Sequence, residues 1–197
     1  MSSTSDILSS MIPVVDAFEE LGVAYYIGGS VASLAHGIYR TTADVDLVAD
    51  LRMEHVRPLK RLLQSTYYID EDMIRDAIKR RSEFNLLHLD TMFKVDVFIP
   101  KTRPFDQEVR RRVQRSKLNI SENTRLFNLE SPEDVILNKL EWYRMGGEVS
   151  DRQWNDILGV LKVQGTNLDM SYLRRWAPSL GVADLLERVL VDAGLKE

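Results

Sequence analysis

The chain places a turn of two glycines and a serine, Gly28-Gly29-Ser30, directly between two apolar segments. The segment before it, residues 23–27, is short, apolar and aromatic, which is typical of a buried strand. The segment after it, residues 31–39, has the pattern of a helix. Adjacent glycines permit a tight turn and let a ligand approach the backbone closely. A strand, a glycine turn and a helix in this order are common in α/β proteins, and they indicate a binding site only in combination with further residues.

Two aspartates follow on the next predicted strand, residues 43–48. Side chains alternate along a strand, so Asp44 and Asp46 share one face while apolar residues occupy the other. A third aspartate, Asp96, interrupts the apolar strand predicted over residues 92–99. Three carboxylates in one place repel each other, and a divalent cation such as Mg²⁺ neutralises them. Together with the glycine turn, these acids predict a site for two Mg²⁺ ions and a nucleoside triphosphate.

The remaining patterns divide the chain into two parts. Helical and strand patterns alternate before Ser131, and helical patterns alone follow it. Serine as the N-cap, proline at the first helical position and acids in the first turn mark a strong helix start there. We therefore predict an α/β (α+β) fold, with a small mixed β-sheet core and flanking helices over residues 1–130 and an α-helical subdomain over residues 131–197. Helices are predicted at residues 5–21, 31–39, 53–64, 71–81, 104–115, 132–145, 151–163, 170–177 and 181–193, and strands at residues 23–27, 43–48, 84–89, 92–99 and 125–129.

The composition excludes several classes of function. The 197 residues include no cysteine, which rules out disulfides and thiolate metal sites and fits a reducing cytoplasm. No apolar run reaches the length of a membrane span, so we expect a cytoplasmic protein without a membrane partner. The formal net charge of -4 does not indicate a polyanion binder. Neither a P-loop nor a Gly-x-Gly-x-x-Gly fingerprint occurs, which disfavours both of those nucleotide sites.

Three further features each have two interpretations. Arg40 lies between the glycine turn and the acids, where it either contacts phosphate or has a structural role, at the surface or in a pair with a nearby acid. A cluster of basic residues lies between residues 110 and 117. It either contacts the backbone of a nucleic acid such as tRNA or is the solvated face of a helix. Three aromatic residues of the C-terminal helices are expected in the core rather than against a base. The basic cluster comprises Arg110, Arg111, Arg112, Arg115 and Lys117, and the aromatic residues are Trp142, Tyr143 and Trp154.

The glycine turn with its acids resembles the signature of the nucleotidyltransferase-fold superfamily, the polymerase beta-like group. The resemblance lies in Ile27-Gly28-Gly29-Ser30, in Asp44-Val45-Asp46-Leu47 and in Val95-Asp96-Val97. It implies that Asp44 and Asp46 bind both Mg²⁺ ions, and that Asp96 binds the catalytic ion and helps to activate the attacking hydroxyl. It also implies that Gly28, Gly29 and Ser30 hold the triphosphate of the NTP donor.

The C-terminal part is loosely similar to the AbiEii-type toxin nucleotidyltransferases. The similarity lies in the helix with Lys139 and in Ser150-Asp151-Arg152-Gln153-Trp154-Asn155-Asp156. It implies that Lys139 contacts the nucleotide phosphates and that Asp156 matches a later acid of those toxins. Asp134 departs from the toxin pattern, because it precedes Lys139 by five residues and not by four. This resemblance implies a tRNA or other RNA acceptor and a cognate antitoxin protein as partners.

The residues and the resemblance together predict a Mg²⁺-dependent nucleotidyltransferase. It would move a nucleoside monophosphate from an NTP to a hydroxyl of an RNA or tRNA end, a protein or a small molecule. The alternative is a nucleotide-binding, regulatory or toxin–antitoxin interaction protein with little or no catalysis. The presence of all three acids favours the enzyme, because a protein that only binds nucleotide does not need the catalytic carboxylate.

Overall fold

The computed structural model describes residues 4–36, 42, 44–118 and 125–195. The strands within these residues are β1 (Tyr25–Ile27), β2 (Asp44–Ala49), β3 (Tyr67–Tyr68), β4 (Glu83–His88), β5 (Lys94–Phe98), β6 (Gln114–Lys117) and β7 (Leu126–Leu129). The helices are α1 (Thr4–Glu20), α2 (Gly29–Ala35), α3 (Val56–Leu63), α4 (Glu71–Arg80), α5 (Pro104–Arg112), α6 (Pro132–Met145), α7 (Asp151–Gln164), α8 (Met170–Trp176) and α9 (Ala183–Asp192). Short 3-10 turns occur at Met53–His55 and Gly165–Asn167.

Over the described part of the chain the strands form one seven-stranded sheet in the order β3-β4-β5-β2-β1-β7-β6. Strand β2 lies antiparallel to β1 and parallel to β5, and β1 lies parallel to β7. The hairpin of β4 and β5 is antiparallel, as the sequence predicts. The sheet is therefore mixed, and the α/β core followed by a helical C-terminal part is confirmed.

The apolar alternation of the strands produces the first hydrophobic cluster. On β2 the side chains of Val45, Leu47 and Ala49 are buried, and they pack with apolar residues of β4, β5 and helices α1, α3 and α4. The opposite face of β2 carries the half-buried Asp44 and Asp46. One face of the sheet is thus a core, and the other face is left for polar side chains.

A second hydrophobic cluster joins the C-terminal helices to the sheet. Helices α6 to α9 contribute most of it, and Tyr26 of β1, Ala32 of α2 and Phe105 of α5 complete it. Ser131 caps α6 by accepting a hydrogen bond from the Asp134 backbone N–H at 3.2 Å, as its position before Pro132 predicts. These contacts place α6 and α7 beside the polar face of the sheet. The boundary at residue 130 remains a prediction.

The structure differs from the predicted elements in two places. The helix predicted over residues 104–115 is wrong at its end, because α5 stops at Arg112 and β6 begins at Gln114. Residues 114–117 pair with β7 as an exposed edge strand. Their side chains are polar, so the segment lacks the apolar alternation by which a strand is predicted. The two-residue strand β3 was not predicted, because two residues show no alternation.

Two other observations concern boundaries and membranes. Helix α2 ends at Ala35, and the part of the predicted helix beyond residue 36 lies outside the described residues. No described helix combines the length and apolar character that crossing a membrane requires.

Candidate active site

The three predicted acids lie on two neighbouring strands. In the parallel pair of β2 and β5, Asp46 is in register with Asp96, and Asp44 is in register with Lys94. Residues in register on adjacent strands project to the same face of a sheet. Asp44, Asp46 and Asp96 therefore share the polar face, together with Lys94.

The glycine turn lies directly against Asp46. The Ser30 backbone N–H donates to Asp46 Oδ2 at 3.3 Å, and the Gly28 N–H donates to the Asp46 carbonyl at 3.0 Å. Gly29 has φ +54°, and a Cβ at this position would lie 1.9 Å from Asp46 Oδ2. Glycine is required at position 29 for both reasons, the backbone conformation and the space that the carboxylate occupies.

The carboxylates of this face repel one another. Burial, followed by the negative charge of Asp44, raises the pKa of Asp46 to about 6, and Asp96 adds to the rise. The Ser30 N–H and the Lys139 ammonium lower the pKa but offset only part of the effect. The Thr42 hydroxyl donates to Asp44 Oδ1 at 2.9 Å. Hard carboxylate oxygens with mutual repulsion fit a Mg²⁺ site, because a divalent cation would relieve the repulsion.

Asp96 is engaged by a neighbouring cation. Lys94 Nζ lies 2.7 Å from Asp96 Oδ2, and the Asp96 side chain is 13% exposed. Among the described residues, no three acidic or histidine side chains are gathered closely enough to hold a metal ion as they stand. The strand register brings the three acids to one face, but the side-chain arrangement with Lys94 does not join them into a metal cluster.

A cleft of about 630 Å³ lies between the polar face of the sheet and helices α6 and α7. Gly28, Gly29, Ser30, Asp44 and Asp46 line its sheet side, whereas Asp96 is not among the lining residues. The helical side and the remaining walls include Arg81, Arg103, Glu130, Asn138, Lys139, Trp142, Arg152 and Asp156. The sequence-predicted turn, two of the acids and the predicted lysine thus meet at one cleft.

Lys139 lies in the cleft wall with its ammonium held by an acid. Its Nζ donates to Asp156 Oδ2 at 2.9 Å, and the two side chains are 10% and 3% exposed. The sequence similarity to toxins pointed to both residues, and helices α6 and α7 bring them together. Arg40, the other predicted phosphate contact, lies outside the described residues.

Sequence reasoning missed Glu130, a deeply buried acid of the cleft. Glu130 is 2% exposed, and the Asn138 side-chain amide donates to its Oε1. Burial, followed by the charge of Asp134, raises the pKa of Glu130 to about 8. A Cβ on Gly28 would lie 3.1 Å from Glu130 Oε2, so this carboxyl borders the glycine turn. The available signal was an acid directly after the apolar strand pattern of residues 125–129.

The aromatic residues divide between the core and the cleft. Tyr143 is buried and packs on Trp154 with ring centroids 5.0 Å apart, as expected of core aromatics. Trp142 contradicts the expectation, since it is 48% exposed and lines the cleft. Its ring meets Phe98 edge to face at 6.1 Å. Neighbouring positions on a helix face different directions, so α6 buries Tyr143 and turns Trp142 towards the cleft.

The three α5 arginines of the basic cluster each face acidic side chains. Arg112 pairs with Glu133 at 2.7 Å and with Asp134 at 3.5 Å. Arg110 and Arg111 also face acids, at 3.9 Å from Asp50 and 3.4 Å from Glu108 respectively. These pairings favour the structural interpretation of the α5 arginines over a nucleic-acid contact.

Comparisons with known proteins bear on the fold. The sequence matches no model of a protein family and no curated protein sequence. This chain is similar to the solved structure of the antibiotic-resistance factor ANT(2'')-Ia, with a TM-score of 0.57 and 13% identity. The alignment covers 93% of this chain and 97% of the ANT(2'')-Ia chain. The lincosamide antibiotic adenylyltransferase LnuA, solved with lincomycin bound, covers 79% and 96%, with a TM-score of 0.52 and 15% identity.

A third solved structure, an antigenic nucleotidyltransferase-like protein from Paracoccidioides brasiliensis, covers 92% of this chain and 93% of its own. Its TM-score is 0.53 and its identity is 20%. At these identities the likeness concerns the fold, and the chain has the nucleotidyltransferase fold that the glycine turn and acids predicted. The narrower similarity to AbiEii-type toxins remains a prediction.

Proposed function

We propose that this chain is a nucleotidyltransferase that moves a nucleoside monophosphate from an NTP to a hydroxyl acceptor with the aid of Mg²⁺. One observation carries the proposal, namely the register that aligns Asp46 with Asp96 beside the Gly28–Ser30 turn. The fold supports it, because the solved structures of the same fold include the antibiotic-resistance factor ANT(2'')-Ia and the lincosamide antibiotic adenylyltransferase LnuA.

The donor nucleotide would bind between the glycine turn and α6. Gly28, Gly29 and Ser30 line the cleft on the sheet side, and Lys139 faces the same cleft from α6. Asp44, Asp46 and Asp96 would hold two Mg²⁺ ions, and their oxygen donors and mutual repulsion fit that role. The bound ions would neutralise the triphosphate and the charge that develops at the reacting phosphorus.

The transfer itself exchanges one phosphorus–oxygen bond for another. The acceptor hydroxyl oxygen forms a bond to the α-phosphorus, and the bond from that phosphorus to the bridging oxygen breaks, so that pyrophosphate leaves. Asp96 would accept the hydroxyl proton, as a carboxylate within reach of the attacking oxygen can. Asp46 and the turn would keep the α-phosphate in line for the attack.

The acceptor would bind further along the strands, beside Phe98 and Trp142. Phe98 lies two residues beyond Asp96 on the same face of β5, which corresponds to about 7 Å along the strand. The cleft of about 630 Å³ has the size of a small-molecule site, which favours a small hydroxyl compound as acceptor. ANT(2'')-Ia has been solved with adenylyl-2''-tobramycin and LnuA with lincomycin, which supports the same class.

A label-transfer assay tests the proposal. The protein is incubated with Mg²⁺, each α-labelled NTP and separate pools of small hydroxyl compounds, RNA and proteins. We expect transfer by the wild-type chain, and a loss of at least a hundredfold in Asp46→Asn and Asp96→Asn. Asp90→Asn, an isosteric change at an exposed acid of the same hairpin, is the matched control and should retain activity.

The proposal is wrong if the wild type transfers no label, or if both site variants retain the activity of Asp90→Asn. Transfer to the RNA pool alone would leave the reaction standing and overturn the small-molecule acceptor.

A further inference from the structure

Lys94 is the cation that the sheet places among the three acids. Its backbone is in register with Asp44 across the β2–β5 pair, and its side chain shares the face of Asp44, Asp46 and Asp96. The ammonium reaches across two residues of its own strand to Asp96 Oδ2, at 2.7 Å. The Lys94 side chain is 48% exposed, so its flexible stem can leave the site without unpacking the core.

The charge of Lys94 is tied to all three acids. The hydrogen bond to Asp96 is the main cause of a raised pKa of Lys94, and the negative charges of Asp96, Asp44 and Asp46 contribute in turn. The other lysine near the site, Lys139, is already held by Asp156. The Lys94 ammonium therefore gives Asp96 a single positive charge where the proposed reaction requires a divalent cation.

The strands align the three acids, and one of these acids already contacts a cation. The register places Asp96 directly beside Asp46, yet the described carboxylates do not form a metal-binding group and Asp96 is absent from the cleft wall. An Asp96 carboxylate bound to Lys94 has one of its oxygens already occupied. A metal ion that needs this oxygen must first displace the ammonium.

We propose that the Lys94 ammonium is an intramolecular counter-ion that competes with the divalent cation for Asp96 and so sets the metal affinity of the site. Lys94 is a positioning residue, because it acts through Asp96 and not on the substrate. It offsets part of the negative charge of the acids when the cation is away and withdraws to solvent when the cation binds. This inference rests on the proposed function, since it concerns the metal that the nucleotidyl transfer would use.

Metal binding by Lys94→Met tests the inference directly. The probe is Mn²⁺, which is titrated into the full chain in the presence of a non-hydrolysable NTP analogue. Electron paramagnetic resonance measures the concentration of free Mn²⁺ at each step. Removal of a half-exposed competing ion pair should lower the Mn²⁺ dissociation constant by about two- to fivefold. Lys94→Arg keeps the charge and should not tighten binding. Lys162→Met, the same change at an exposed lysine of α7, should bind Mn²⁺ as the wild type does.

Thermal unfolding gives a second readout that does not depend on catalysis. Without a divalent ion, Lys94→Met should unfold about 1–4 °C below the wild type, because the acids lose their counter-ion. Saturating Mn²⁺ should raise its unfolding temperature by more than it raises that of the wild type. A variant that merely disturbed packing would be less stable under both conditions by the same amount.

The outcomes separate the inference from the function it rests on. Equal or weaker Mn²⁺ binding by Lys94→Met than by the wild type overturns the competition and leaves the nucleotidyltransferase proposal intact. If neither protein binds Mn²⁺ in the presence of the NTP analogue, the metal-dependent function fails and the inference fails with it.

Discussion

Glu130 should make the stability of this fold depend on pH, and a single variant can isolate its contribution. Its carboxyl is buried beside the glycine turn and accepts a hydrogen bond from Asn138. Glu130→Gln preserves the shape of the side chain and retains an oxygen that can accept from Asn138. The change therefore removes the titration of this carboxyl and little else.

The sign and size follow from the raised pKa. Burial and the charge of Asp134 raise the pKa of Glu130 from an ordinary value of 4.5 to about 8. Between these values the folded state holds a proton that the unfolded chain has released, so the free energy of unfolding falls as the pH rises. At 1.36 kcal/mol for each pKa unit, the wild type should lose about 4 kcal/mol relative to Glu130→Gln between pH 5 and pH 9.

Thermal unfolding followed by far-UV circular dichroism, without nucleotide or divalent ions, measures this difference. The unfolding temperatures of the two proteins should be similar at pH 5 and differ by about 8–16 °C at pH 9, with Glu130→Gln the more stable. Glu83→Gln, a change at an exposed acid of the same cleft, is the control and should follow the wild type. Parallel pH profiles for wild type and Glu130→Gln would refute the assignment of a proton to Glu130 in the folded state.

Two further pairs of variants test the geometry of the cleft. Gly29→Ala should lower the free energy of unfolding in urea by about 2–4 kcal/mol because its Cβ meets Asp46, whereas Gly22→Ala, at φ +66° with open space, should lose about 1–2 kcal/mol. Equal losses would contradict the contact. Trp142→Ala should change stability by less than about 1 kcal/mol but raise the KM of the acceptor about tenfold, with the KM of the NTP unchanged. Tyr143→Ala, at the buried neighbour, should instead lower the free energy of unfolding by about 3–5 kcal/mol. An unaltered acceptor KM in Trp142→Ala would refute the proposed contact between this ring and the acceptor.

Local sequence patterns were sufficient to predict the elements whose structure depends mainly on their own residues. Strand alternation placed Asp44 and Asp46 on one face, and the serine–proline start at Ser131 placed α6 within a residue of its observed beginning. The hairpin that carries Asp96 followed from two apolar runs and the short turn between them. In each case the pattern depends on residues that are neighbours in the sequence, so it can be identified from the sequence alone.

Contacts between distant segments were beyond the sequence. The partnership of Lys139 with Asp156 requires the packing of α6 against α7, and the contact of Glu130 with Asn138 requires the angle between β7 and α6. Lys94 looked like an ordinary polar residue of an alternating strand. Alternation alone puts it on the face of Asp96, whereas its place beside Asp44 and Asp46 depends on the β2–β5 register, which a single sequence does not specify.

The carboxylates of this cleft destabilise the fold that presents them. Asp46 and Glu130 both have raised pKa values because burial and neighbouring charges disfavour their ionised forms. A core built for stability alone would replace such groups with apolar side chains, since unpaired buried charge is costly. The positive charge of Lys139 offsets only part of that cost. The remaining negative charge of this face favours a divalent cation, and Mg²⁺ would neutralise the acids while the triphosphate that accompanies it reaches the glycine turn.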